Sequence, residues 1–168
     1  MRTLVALVAF ALAAPAAAQQ PWEIAKKAAG GAAVGQAEKA VNKKLLEEGR
    51  KNQCVFKTDS DAFEKPCEGK LKNLSNALIA AKKKLAGAGV KNFKFEVSGH
   101  TDSRGDPAHN KELSGKRAAV IRRELVKRGV AEDEIISLGM GSERPLVKPD
   151  DTPAKQAKNR RYEIQVRL

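Results

Sequence analysis

The sequence predicts an α/β domain in which a mixed β-sheet has helices packed on one face. Segments 93–98 and 161–168 alternate apolar and polar residues, which is typical of strands with one buried face. Segments 68–86 and 110–128 repeat apolar residues at helical spacing instead. Strands that alternate with helices need crossover connections, which place the helices against the sheet.

The predicted domain occupies residues 52–168 and has the order β-α-β-α-β-loop-β. A first strand is expected at 54–56, before an acidic turn at 59–61. The later elements follow in chain order: a helix at 68–86, a strand at 93–97, a polar loop at 99–109, a helix at 110–128, a strand at 135–140, a Pro-rich loop and a strand at 161–168.

Residues 1–18 have the pattern of a secretory signal peptide. Arg2 precedes an unbroken apolar run at 4–14, and three alanines at 16–18 supply a cleavage site. The run is shorter than the roughly 20 residues that a membrane-spanning helix needs. We expect a periplasmic protein with no transmembrane segment in the mature chain; the alternatives are an uncleaved anchor or a buried N-terminal helix.

Residues 19–51 are rich in Ala, Gly, Lys and Glu and predict a partly helical linker. Gly30, Gly31 and Gly35 interrupt the helical pattern, and glycine costs a helix about 1 kcal/mol relative to alanine. The same segment could instead dock on a partner protein or on a second copy. The sequence does not decide between these interpretations.

The charge and the cysteines restrict the class of protein. A formal net charge of +12 favours an anionic partner such as lipid head groups or cell-wall polymer, and export makes nucleic acid the least suitable. Most lysines are expected simply to solvate helix faces. Two cysteines in an exported chain predict a Cys54–Cys67 disulfide, with two unpaired buried thiols as the alternative.

Arg117 lies on the apolar stripe of the second predicted helix, between Leu113 and Ile121. A buried arginine is costly without a partner, and Asp102, at the end of the preceding strand, is the candidate. Such a pair can hold a zwitterion, because the carboxylate takes an ammonium and the planar guanidinium takes a carboxylate. A simple structural ion pair between helix and sheet is an equally good interpretation of the residues alone.

The segment from residue 99 to residue 161 contains a set of residues at fixed spacings: Gly99, His100, Thr101, Asp102, Gly105, Asn110, Leu113, Ser114, Arg117, Ala118, Val120, Gly139, Gly141, Pro145, Asn159, Arg160 and Arg161. This set resembles the OmpA-like C-terminal peptidoglycan-binding domain of the OmpA, Pal and MotB proteins. The resemblance covers residues 52–168 and implies a βαβαββ-type domain that binds the diaminopimelate residue of the peptidoglycan stem peptide.

The resemblance also implies which residues bind the ligand. The Asp of the Thr101-Asp102 pair and Arg117 are expected to hold the charged groups of diaminopimelate. Thr101 is expected at the ligand site beside Asp102, and Leu113 is expected to line the pocket. Three further residues are expected to support the loop or the ligand, or to border the groove: Asn110, Asn159 and Arg161. The first strand departs from the family pattern, so one wall of the pocket is the least certain part of the comparison.

Enzymatic chemistry is the weaker interpretation. His100, Asp102 and His109 suggest a zinc site, but a catalytic zinc needs three ligands in fixed geometry and a general base that is not evident. We therefore expect a non-catalytic protein, without cofactor or metal, that binds peptidoglycan and organises the cell wall or outer membrane. The alternative is an envelope protein that keeps the fold but binds a protein or an anionic lipid through its basic surface.

Overall fold

The structure is a computed structural model that describes the backbone of residues 21–168 and the side chains of residues 30–168. The expected signal peptide, residues 1–18, lies outside the described residues. The elements in chain order are α1 (Pro21–Lys51), α2 (Glu68–Gly87), β1 (Lys94–His100), α3 (Pro107–Val126), β2 (Ile135–Gly139), α4 (Pro153–Asn159) and β3 (Arg161–Arg167). In this part of the chain, no helix combines the length and the apolarity that crossing a membrane requires.

The three strands form one mixed sheet in the order β2-β1-β3. Strand β1 is parallel to β2, with Phe95 opposite Ile135, and antiparallel to β3, with Phe95 opposite Val166. Leucines of α2 pack with these side chains in the core. On β2 the alternate residues Ile136 and Leu138 are largely exposed, so that face carries no helix there. The predicted α/β class, with a mixed sheet and helices on one face, is confirmed.

Helix α1 differs from the expected linker. It is continuous over 21–51, and Val41 and Leu45 of its second half are each only 2% exposed within the core. The side chain of Asn42 also pairs with the backbone of Val166, accepting from its N–H at 2.7 Å and donating to its C=O at 3.2 Å. The weak sequence pattern hid this packing, because small residues interrupt the apolar stripe.

The predicted strand at 54–56 is wrong. The segment makes only an isolated bridge between Phe56 and Phe63, inside a loop closed by the Cys54–Cys67 disulfide. The neighbouring edge of β3 is already occupied, because the side chain of Gln53 pairs with both the N–H and the C=O of Tyr162. The predicted disulfide itself is confirmed, with the two Cα atoms 5.8 Å apart.

Helix boundaries near the groove follow from capping residues. Helix α3 begins three residues before its predicted start, since Pro107 opens it and the Asp106 side chain accepts from the N–H of His109 at 2.8 Å. Helix α4 lies within the segment that was predicted to be a Pro-rich loop. Thr152 caps this short helix and Pro153 begins it, a pair of residues that often starts a helix.

Close backbone contacts fix α3 against the sheet. A Cβ at Gly99 would lie 2.1 Å from the carbonyl oxygen of Ser114, and a Cβ at Gly139 would lie 2.3 Å from that of Lys111. Gly115 has a low helix propensity, but in the structure it lies against Gly139. Because it has no side chain, it leaves room for this close approach of α3 to the sheet. These glycines therefore set the distance between the strand that ends before Asp102 and the helix that carries Arg117.

Candidate functional site

An open groove of about 980 Å³ lies where the end of β1, the helix α3 and the disulfide-closed loop meet. Six of the seven residues expected at the ligand site line it: Thr101, Asp102, Asn110, Leu113, Arg117 and Arg161. The seventh, Asn159, is fully buried behind the wall. The fold thus brings the expected site together from elements that are distant in sequence.

Asp102 forms one wall of the groove and is 6% exposed. Its carboxylate accepts hydrogen bonds from Arg160 Nη1 at 2.7 Å and from the backbone N–H of Arg104 at 3.1 Å. Burial acts to raise the pKa of Asp102, but the hydrogen bonds from Arg160 and Arg104 outweigh it and lower the pKa. Asp102 is therefore an ionised acceptor at neutral pH.

Arg117 forms the opposite wall and is 9% exposed. Its Nε donates to the carbonyl oxygen of Ser60 at 2.9 Å, and its Nη2 donates to that of Lys57 at 3.1 Å. The guanidinium also lies over the ring of Phe56, 5.2 Å from the centroid. Burial lowers the pKa of Arg117, and repulsion from Arg160 lowers it further, but an arginine stays charged at neutral pH.

Asp102 and Arg117 do not contact each other directly. Among the described residues, no oxygen of Asp102 lies within 4.0 Å of a nitrogen of Arg117, and Arg117 Nη1 has no hydrogen-bond acceptor. The simple ion pair between helix and sheet is therefore not what the structure contains. Each charge is held separately by its own surroundings and faces the same groove.

A network behind the groove supports the Asp102 wall. Asn159 accepts from the backbone N–H groups of Leu146 and Val147 at 2.8 and 3.0 Å, and donates to Asp150 at 2.9 Å. Asp150 in turn accepts from the N–H of Ser103 at 2.9 Å, next to Asp102. The hydrogen bonds from Ser103 and Asn159 lower the pKa of Asp150 to about 2. Asn159 thus organises loops and does not line the groove.

Comparison with known proteins decides the family. A model of the OmpA family matches residues 55–160. This range includes Asp102, Arg117 and the bridge between Phe56 and Phe63 within the disulfide-closed loop. The chain belongs to the OmpA family. The match ends at Arg160, so it contains both walls of the groove.

Two curated relatives are similar to part of this chain. The chain is 48% identical over 71 residues to outer membrane porin F of Pseudomonas fluorescens, covering 42% of this chain and 22% of the relative. It is 44% identical over 70 residues to the peptidoglycan-binding protein ArfA of Mycobacterium bovis, covering 42% and 21%. The match thus spans about a fifth of these relatives' length.

The fold is shared with the peptidoglycan-associated lipoprotein of Burkholderia pseudomallei. Its crystal structure superposes with a TM-score of 0.56 at 24% identity, covering 70% of this chain and 92% of that one. At this identity the likeness concerns the fold alone. It confirms the α/β architecture expected for an OmpA-like domain.

Two buried polar residues of the OmpA-like motif have unsatisfied atoms. Both ring nitrogens of His100 and the hydroxyl of Thr101 have no hydrogen-bond partner among the described residues. Burial lowers the pKa of His100 to about 4, with a further contribution from the charge of Arg161. Arg161 itself donates to Glu163 at 2.7 Å. His100 is therefore neutral at pH 7.

Residues outside the expected set also shape the groove. Arg160 and Arg104 hold Asp102, and Asn110 donates to the carbonyl oxygen of Arg104 at 2.7 Å. Arg160 is part of the motif that carries the resemblance, but nothing in its local pattern indicates that it turns toward Asp102.

The residues of the considered zinc site lie in separate surroundings. Within the part of the chain that the structure describes, no three His, Cys, Asp or Glu side chains form a group that could hold a metal ion. His109 Nε2 lies 2.5 Å from Asp59 Oδ1, at the mouth of the groove. This contact ties the start of α3 to the disulfide-closed loop.

Proposed function

We propose that this domain binds peptidoglycan without cutting it, by holding the diaminopimelate of a stem peptide between Asp102 and Arg117. The observation that carries the proposal is that a buried carboxylate and a buried guanidinium face one groove without pairing with each other. Two separated opposite charges suit a ligand group that itself carries both charges. The free end of diaminopimelate is such a zwitterion.

Each charged group has one role in this proposal. The ligand carboxylate binds to Arg117 through Nη1, which has no acceptor within the part of the chain that the structure describes, while Nε and Nη2 keep the guanidinium plane fixed on the loop. The ligand ammonium binds to Asp102 and replaces part of the contact with Arg104, which is the longer one at 3.4 Å. Leu113 lines the groove beside them and gives the methylene chain an apolar surface.

The relatives support peptidoglycan as the polymer that this domain binds and a place in the cell envelope. One curated relative is named a peptidoglycan-binding protein, and the matching crystal structure is that of a peptidoglycan-associated lipoprotein. With the expected signal peptide, the proposal places this chain in the periplasm, where it ties the wall to the outer membrane or to a partner protein. A partner bound through residues 19–51 stays a prediction.

Co-sedimentation with insoluble diaminopimelate-type peptidoglycan tests the proposal. Wild type should sediment with the wall, and Asp102→Ala and Arg117→Ala should each weaken binding by about 30-fold or more, as charged hydrogen bonds are lost. Lys116→Ala is the matched control, because Lys116 is an exposed cation on the same helix whose salt bridge among residues 30–168 is to Glu112. This variant should bind like wild type.

The salt dependence separates the proposal from its alternative. Binding through the partly buried groove should persist at moderate salt, because screening acts mainly on exposed charges. Retention that ignores both groove variants and disappears with salt would instead indicate a nonspecific basic surface. That result would favour the envelope protein that keeps the fold but binds another anionic partner.

A further inference from the structure

We propose that Arg160 and Arg104 form a second anion subsite, which takes another carboxylate of the same stem peptide. This inference rests on the proposed function and adds a specificity to it. Arg160 lies between α4 and β3, and Arg104 lies in the loop after β1. Both side chains reach the same oxygen of Asp102, Oδ2, so they lie side by side at one edge of the groove.

The first argument is the balance of charge around Asp102. One carboxylate is contacted by two guanidinium groups, at 2.7 Å for Arg160 and 3.4 Å for Arg104, which leaves one positive charge in excess. Arg160 is also close enough to Arg117 to lower its pKa by repulsion. Asp59, an acidic residue near Arg117, already forms a pair with His109.

The second argument is the free donor capacity of the two arginines. Arg160 uses only Nη1 for Asp102, and its Nε and Nη2 have no acceptor among the side chains that the structure describes. Arg104 contacts Asp102 through Nε and Nη2 only at 3.4 Å, a weak geometry for a hydrogen bond. Their side chains are 41% and 66% exposed, so solvent and ligand can reach these donors.

The position of the subsite determines what it can bind. Arg160 and Arg104 line the same groove as Arg117 and contact Asp102 directly. A ligand whose zwitterionic end is held between Asp102 and Arg117 therefore brings its adjacent part within reach of these two guanidiniums. In a stem peptide that ends at diaminopimelate, such as the tripeptide, the adjacent part contains two more carboxylates: the one at the other centre of diaminopimelate and the α-carboxylate of D-glutamate.

Titration calorimetry with matched probes tests the inference. The probes are the tripeptide L-alanyl-γ-D-glutamyl-meso-diaminopimelate and two analogues, each with one of these two carboxylates converted to an amide. Wild type should bind the tripeptide about tenfold more tightly than one of the analogues, which is the low end of the effect of losing one hydrogen bond between charged groups. Arg160→Ala should bring that ratio close to one, and Arg104→Ala should reduce it partly.

Lys158→Ala is the matched control, since Lys158 is an exposed cation on the rim of the groove with no contact to Asp102. It should keep the tenfold ratio. Because the ratio is taken within each variant, a general loss of affinity does not affect it, and thermal unfolding of Arg160→Ala and Arg160→Gln identifies loss of the fold.

Two results would overturn the inference. The first is that wild type binds the tripeptide and both amide analogues with equal affinity. The second is that the preference for the tripeptide survives in both Arg160→Ala and Arg104→Ala. Failure of the proposed function is recognised differently: wild type would not bind the tripeptide at all, or Asp102→Ala and Arg117→Ala would bind it as wild type does. Then the second subsite falls with the first.

Discussion

The two walls of the groove hold their charged residues by different means. Asp102 is held by charged side chains, Arg160 and Arg104, whereas Arg117 is held by the backbone carbonyls of Lys57 and Ser60. The charge of Asp102 is therefore compensated within the protein, while that of Arg117 is only hydrogen bonded. Arg117 can therefore bind an anion directly. Asp102 can bind a ligand ammonium only by giving up part of its contact with an arginine.

The walls also depend on different parts of the fold. The disulfide-closed loop supports Arg117, and the network through Asn159 and Asp150 supports the loop that carries Asp102. Changes that loosen one wall should therefore leave the other in place. Variants that alter one wall or both test this independence, and the largest expected loss of stability comes first.

Gly99→Ala should disturb both walls at once. The new Cβ would meet the backbone of Ser114, which no side-chain rotation can relieve, so α3 must shift away from the sheet. We expect a loss of about 3 kcal/mol or more in the free energy of unfolding, measured by urea denaturation. Gly69→Ala is the control, because nothing lies within 4 Å of its Cβ. A stability for Gly99→Ala near that of Gly69→Ala would contradict the packing described.

Loss of the disulfide should loosen the Arg117 wall selectively. Replacing Cys54 and Cys67 by alanine opens a loop with a sequence separation of 13, which should cost about 3 kcal/mol by the chain-entropy estimate. Denaturation of wild type with and without reductant should give the same difference. Peptidoglycan binding should also weaken, and it would count against this view if the double variant bound as tightly as wild type.

Acid should destabilise the domain through His100. Its pKa is about 4 in the folded chain against 6.5 for an unperturbed histidine, so the unfolded chain binds more protons between these pH values. Stability should fall by about 2–3 kcal/mol as the pH drops from 6.5 to 4. In His100→Leu this part of the loss should be absent. Unfolding curves at several pH values compare the two chains, and parallel pH profiles would refute the assignment.

Asn159→Ala should loosen the Asp102 wall. It removes a fully buried amide and leaves the N–H groups of Leu146 and Val147 without their acceptor, which should cost about 2 kcal/mol. Thermal unfolding measures this cost, and co-sedimentation should show weaker binding. Gln156, buried in the same helix with no side-chain hydrogen bond among the described residues, provides Gln156→Ala as a comparison for loss of packing alone.

The sequence predicted the regular part of the fold and that Asp102 and Arg117 lie near each other in it. Strands β1 and β3 and helix α2 follow from apolar periodicity, and Arg117 was identified because it interrupts an apolar stripe. The role of Arg160 could not be predicted. Its side chain reaches Asp102 only because the turn between α4 and β3 directs it there, and α4 itself was missed.

The N-terminal half was harder to predict for a related reason. Side-chain amides of Asn42 and Gln53 occupy the outer edge of β3, next to segment 54–56, which was expected to be a strand. Nothing in a local pattern distinguishes an amide that pairs with a strand edge from one that faces solvent. The packing of α1 therefore depends on tertiary contacts that appear only in the structure.

The most direct test of the central proposal compares two stem peptides that differ by one carboxylate. Lysine is diaminopimelate without the carboxylate that Arg117 is proposed to bind. Wild type should bind the diaminopimelate tripeptide at least about tenfold more tightly than the lysine tripeptide in a calorimetric titration, and Arg117→Ala should lose this preference. Equal affinity of wild type for both peptides would contradict the assignment of Arg117 as the carboxylate-binding residue.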